Sequence, residues 1–179
     1  MILTREAMPT EQHLHFNGLR HATVGNGEEE ILEAYLAFAY YHTLNNAEKY
    51  ENAAANSRLD EQKTLFSQLA CRKREVAHRL KSNRSDAALL FEREKKHPNF
   101  PQEGAEIDSE VDPLFTLNNA FDFAYRREYK TLAVYEKLAK AVLIPSVRVL
   151  FDYLMESQVM HIRYLDTQVA VANTGSTAA

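Results

Sequence analysis

Phe38-Ala39-Tyr40 returns as Phe123-Ala124-Tyr125, and the match continues without a gap at an offset of 85 residues. Tyr50-Glu51 returns as Tyr135-Glu136 and Leu65-Phe66 as Leu150-Phe151. Leu69 returns as Leu154 and Leu80 as Leu165. A unit of this length holds two helices, and two helices alone cannot bury both of their apolar faces. The repeat therefore predicts an all-α four-helix bundle made of two helical hairpins. It also shows which positions should correspond at the bundle centre. Three of them disagree between the copies: Thr43 with Glu128, Lys73 with Gln158, and Val76 with His161.

Composition narrows the reading. The chain has 179 residues, 45% hydrophobic and 26% charged, which suits one water-facing domain with a sizeable core. The formal net charge of −4 gives no basic surface for nucleic acid or an anionic membrane. One cysteine, Cys71, excludes an internal disulfide framework and a CxxC metal knuckle. No apolar run reaches the roughly 18 residues of a membrane span, and the first residues lack the apolar core of a signal peptide. These features lead to the expectation of a cytoplasmic protein with no nucleic-acid or membrane partner.

Residues 1–27 read as a polar extension ending in Gly25-Asn26-Gly27, a loop signal. The bundle is expected over 28–172, with the first hairpin at 28–83 and the second at 114–172. Apolar residues at helical spacing place helix one at about 28–56 and helix two at about 60–83, capped by Asp60. The stretch 84–113 is a crossover long enough to return the chain to the other end of the bundle. It contains Ala87-Ala88-Leu89-Leu90-Phe91, a candidate short helix, and the breaker His97-Pro98-Asn99-Phe100-Pro101. Asp112-Pro113 is the expected start of helix three, which runs to about Val142. Pro145 suits the first turn of helix four, which continues to about Ala172, and 173–179 reads as a disordered tail.

At about 100° per residue, helix three centres its apolar stripe on Glu128, with Ala124, Leu132 and Tyr135 close by. Helix four centres on Leu154, Gln158, His161 and Leu165; helix one on Thr43; helix two on Lys73. A carboxylate, an amide, an imidazole and an ammonium inside apolar stripes are costly unless they meet one another or a ligand.

This pattern has a known chemical use. Bundle di-metal sites take one Glu from each of two helices and Glu-x-x-His from each of the other two. The chain resembles the ferritin-like superfamily, most closely its rubrerythrin-like branch. The segment Arg74-Glu75-Val76-Ala77-His78-Arg79-Leu80 is similar to that branch's second-helix signature, and Glu128 with Tyr135 to its Glu-x6-Tyr. The resemblance implies a ferritin-like four-helix bundle of two repeated hairpins with a long crossover, and a homodimer. It further implies a di-iron oxidoreductase acting on peroxide or dioxygen. Carried over one position at a time, the two single glutamates fall on Thr43 and Glu128. The two Glu-x-x-His pairs fall on Lys73 with Val76 and on Gln158 with His161. Only Glu128 and His161 keep the pattern, and the single cysteine cannot build a rubredoxin-type iron centre.

Three readings follow. In the first, the di-iron centre is dismantled, no metal is bound, and Thr43, Lys73, Glu128, Gln158 and His161 form a polar cluster of structural or small-ligand role. In the second, Glu128, Gln158 and His161 hold one iron, manganese or zinc ion; with iron or manganese, though not zinc, this would be an oxidoreductase, whose electron donor the sequence does not name. In the third, the outer helical faces serve as a protein-interaction module. Glu75-x-x-His78 looks like a ligand pair, yet both residues lie about 140–160° from the Lys73 stripe and should face solvent. Tyr40, Tyr50, Tyr125 and Tyr135 read as amphipathic core residues, and Cys71 as a small packing residue. Phe38 and Phe123 suit either helix packing or a dimer interface. His13 and His15 form a weak metal signal, and with His21 they read as loop histidines.

Overall fold

The computed structural model describes residues 26–82 and 116–175. Among them it shows four α-helices and no strand: α1 Asn26–Asn56, α2 Asp60–Ser82, α3 Leu117–Ala141 and α4 Pro145–Gly175. No helix among the described residues is long and apolar enough to cross a membrane. Residues 1–25, the crossover 84–113 with its candidate short helix, and His13, His15 and His21 lie outside the described residues.

The helix ends follow local chemistry. Glu28 and Glu29 stand in the first turn of α1, and Asp60 and Glu61 in that of α2, where negative charge meets the positive end of the macrodipole. Arg79 and Lys81 complement the other end of α2. Past the end of α1, Ser57 donates its hydroxyl to the Ala53 carbonyl at 2.7 Å. Pro145 opens α4, where a missing N–H costs nothing.

Three expected boundaries move. Asn26 and Gly27 belong to α1, because the acidic run behind them favours a helix start over a loop. Helix α3 begins at Leu117, not at Asp112-Pro113; Thr116, in an extended conformation, accepts the Asn119 N–H at 3.2 Å and caps it. Helix α4 runs on through Asn173, Thr174 and Gly175, where composition predicts a tail. There the Thr174 hydroxyl donates to the Val171 carbonyl at 2.9 Å and satisfies an end group.

Sequential helices pack most extensively, α1 on α2 and α3 on α4. Between α1 and α3, Thr43 and Asn46 meet Tyr135 and Thr131, while Tyr50 meets Glu128 and Ala124. Partners on α3 descend as α1 ascends, so these helices run antiparallel. Val76 and Leu80 share a cluster with Leu32, Leu36 and Val142. Leu65 and Ala120 share another with Tyr50 and Ala53. Ser82 and Thr116 therefore lie toward opposite ends of a bundle on the order of 35 Å long.

The internal repeat reappears as geometry. Tyr50 stacks on Phe66 with ring centroids 6.1 Å apart, and the equivalent Tyr135 and Phe151 are also 6.1 Å apart. Lys73 and its counterpart Gln158 touch each other, as do Asn46 and Thr131. Residues that meet their own counterparts mark an approximate twofold axis through the bundle centre. Phe123 packs against Phe66 and Tyr50, so helix packing accounts for its burial.

Candidate functional site

The polar residues gather between the two apolar clusters. Lys73 is 3% exposed, Glu128 1%, Gln158 2%, His161 5% and Thr43 3%. Each sits on the inward line of its helix, with a buried residue three or four positions away on each side. Leu69, Ala70, Val76 and Ala77 flank Lys73 in this way, and Ala124 with Thr131 flank Glu128.

Glu128 is the hub. Its Oε2 accepts from the Lys73 ammonium at 2.7 Å and from the Gln158 amide nitrogen. Its Oε1 accepts the Tyr50 phenol at 2.6 Å. Gln158 is held at both ends: its amide nitrogen also donates to the Glu128 carbonyl at 2.9 Å, and its oxygen accepts from Lys73 at 2.8 Å. His161 Nδ1 lies 3.4 Å from Glu128 Oε2, and it makes no hydrogen bond. Thr43 Oγ1 is 3.3 Å from the Tyr135 hydroxyl, which lies 3.1 Å from His42 Nδ1.

Burial pushes the Glu128 carboxyl up, but the Lys73 charge beside it, with His161 and the hydrogen bonds, outweighs burial and holds it well below the usual carboxylate range. Burial pulls the Lys73 amine down, against the opposing pull of Glu128. Burial and then the neighbouring Lys73 charge lower His161, so its ring is neutral at neutral pH. Burial and the Glu128 charge raise the Tyr50 phenol, which stays a donor.

The arrangement suits an ion pair better than a metal. Both carboxylate oxygens of Glu128 are occupied by donors, and an ammonium fills the space beside them. The adjoining cavity, lined by Thr43, Lys73, Tyr135, Gln158 and His161 among others, measures about 10 Å³. That is room for roughly one water molecule. Among the described residues, no three His, Cys, Asp or Glu side chains converge in a way that could hold a metal ion. Gln158 turns its oxygen toward Lys73 and its nitrogen toward Glu128, so its better donor atom is already spent.

Glu75 and His78 are both exposed. They border a surface groove with Glu51, Cys71 and Arg74. Cys71 is exposed too, which departs from its reading as a packing residue, and its thiol donates to Glu75 Oε1 at 3.9 Å.

Sequence reasoning missed a second tier beside the hub. Arg127, 5% exposed, donates to Asn46 Oδ1 at 2.6 Å, and its guanidinium lies 5.8 Å from the Tyr50 ring centroid. Asn46 in turn donates to Thr131 at 3.5 Å. The signal was present in the repeat: His42 stands against Arg127 and Asn46 against Thr131, further disagreements at the same offset. No family model, no curated protein and no solved structure matches this chain.

Proposed function

We propose that this chain is a bundle protein of the ferritin-like, rubrerythrin-like kind in which an internal ion pair has replaced the di-iron centre. Its central cluster is structural. The observation that carries this reading is Lys73 Nζ at 2.7 Å from Glu128 Oε2, with both side chains removed from water. A lysine at a position where the resemblance calls for a carboxylate ligand sets a positive charge beside Glu128, where metal ions would supply theirs. A cavity of about 10 Å³ also supports the structural role over a small-ligand role, since nothing larger than water fits without displacing side chains.

What the cluster contributes is register. Isolated buried charges are expensive, so the four helices pack well only when Lys73, Glu128, Gln158 and Tyr50 come to one level together. Other sliding arrangements of four apolar stripes would strand a charge.

Elemental mass spectrometry tests this on untagged protein expressed in iron- and manganese-supplemented medium. The expected result is no stoichiometric metal. Two metals per chain would restore the di-iron enzyme. One metal per chain, lost in His161→Ala and kept in His78→Ala, would assign the Glu128, Gln158 and His161 site instead.

A further inference from the structure

Lys73, Glu128 and Gln158 form more than an ion pair with a hydrogen-bonded neighbour. A primary amine and a carboxamide are held against each other inside the bundle, and one carboxylate oxygen touches both. Lys73 Nζ lies 2.8 Å from Gln158 Oε1 and 2.7 Å from Glu128 Oε2. The same Oε2 accepts from Gln158 Nε2, and the Glu128 carbonyl holds that nitrogen a second time at 2.9 Å. The nucleophile, the electrophile and the base thus share one dry site, with side chains 4% and 1% exposed for Lys73 and Glu128.

We propose that this triad is a self-modification site, at which Lys73 and Gln158 join through an intramolecular isopeptide bond with Glu128 as the proton carrier. Lys73 Nζ bonds to the side-chain carbonyl carbon of Gln158, and the bond from that carbon to Nε2 breaks. Nε2 leaves as ammonia. The lysine ammonium gives up two protons on the way. Glu128 Oε2 takes a proton from Nζ and hands one to the departing nitrogen; the other leaves with it as ammonium. The step needs no oxidant, reductant or external co-reactant.

Three features of the site favour the reaction. Amines attack unactivated amides very slowly in water, but fixing the partners at contact distance raises their effective concentration by orders of magnitude. Burial loosens the hold of Lys73 on its proton, and the Glu128 carboxylate, a weak base within hydrogen-bond reach of both nitrogens, relays protons between them without solvent. The double hold on Nε2 keeps the amide plane from rotating away from the amine. The adjoining cavity, lined by Lys73, Gln158 and His161, is the size of one water and therefore of one ammonia. Exclusion of bulk water also removes hydrolysis as a competitor.

The product ties α2 to α4 across the approximate twofold axis, joining a residue to its own repeat counterpart. This inference rests on the metal-free reading of the cluster, and the two fail differently: a bound metal shows in elemental analysis, an absent bond shows in the mass of a metal-free chain.

The test is the intact mass of the full-length chain, freshly purified and after prolonged incubation at neutral pH. The expected result is a species lighter by one ammonia. Protease digestion should then give a branched peptide joining the Lys73 and Gln158 segments, because trypsin does not cut after a substituted lysine. Glu128→Gln, of nearly the same shape, should hold the chain at full mass. Gln158→Met, which removes the acceptor and keeps the base, should do the same. Full mass in the incubated wild type would overturn the proposal. So would an ammonia loss confined to one linear peptide, such as cyclisation at Asn26-Gly27. Persistence of the branched peptide in Glu128→Gln would remove Glu128 from the proton path and overturn the mechanism.

Discussion

Tyr50 and Tyr135 occupy equivalent places in the two halves, and each sends its phenol to the opposite half. Tyr50 donates to the Glu128 carboxylate at 2.6 Å, while Tyr135 meets the Thr43 hydroxyl at 3.3 Å and the His42 ring at 3.1 Å. The repeat has therefore built its own control: one buried phenol on a charged acceptor, one on neutral partners. A hydrogen bond to a buried charge contributes about 1.5–3 kcal/mol, and one between neutral groups about 0.5–1.5 kcal/mol. Tyr50→Phe should lower stability by the larger amount and Tyr135→Phe by the smaller, as read from urea unfolding. Equal losses would mean that Glu128 is not ionised in the folded chain. Glu75 and His78 carry the complementary lesson at this scale. Their spacing imitates a ligand pair, yet their phase on α2 leaves both exposed, and phase decides which side chains can meet.

At the scale of elements, the ends of α3 were harder to read than its middle. Asp112-Pro113 carries a strong start signal, yet Thr116 is the residue whose hydroxyl reaches the Asn119 N–H. Several competing caps in one stretch leave the choice to whichever lets the apolar face begin, and Leu117, Ala120 and Phe121 begin it. Thr116→Ala removes that acceptor and should cost about 1 kcal/mol. Thr116→Ser should restore most of it. If thermal unfolding shows no difference between Thr116→Ala and the parent, the cap lies elsewhere. At the other end of the chain, α4 continues to Gly175 because nothing before it breaks the helix, although Asn173-Thr174-Gly175 looks like tail by composition. Composition describes propensity, and an already propagating helix extends over weak formers at little cost.

For the whole molecule, the buried centre makes stability depend on pH in a defined direction. Burial, with the charges of Lys73, Arg127 and Lys49, holds His42 down to about 4, and burial with Lys73 lowers His161 as well. In the folded chain both rings take up protons at a lower pH than the roughly 6.5 of the unfolded chain. The unfolded state then binds more protons, so stability is full above about 6.5 and falls as pH drops toward about 4. Glu128 adds no loss in that window, since its carboxyl is held well below the usual range. The urea midpoint should fall between pH 7 and pH 4.5, and His42→Asn should flatten that fall. A midpoint that stays level would place both rings in water. The isopeptide bond acts at this scale too. It closes 85 residues into a loop, and the chain-entropy model assigns such a cross-link about 4.5 kcal/mol.

Fold class and the list of central residues were legible in the chain alone. Helical periodicity and an ungapped repeat are properties of the sequence, and they mark Thr43, Lys73, Glu128, Gln158 and His161 as inward positions without any tertiary contact. The contacts themselves were not legible. That Tyr50 takes Oε1 of Glu128, that Lys73 lies between Glu128 and Gln158, and that His161 stops 3.4 Å short of the carboxylate depend on how far each helix slides and turns against its neighbours. A wheel gives the angle of a side chain about its own axis and nothing about the level of the helix beside it. Tertiary packing set those levels, and with them decided that the amine, the carboxylate and the amide share one site with a cavity no larger than a water molecule.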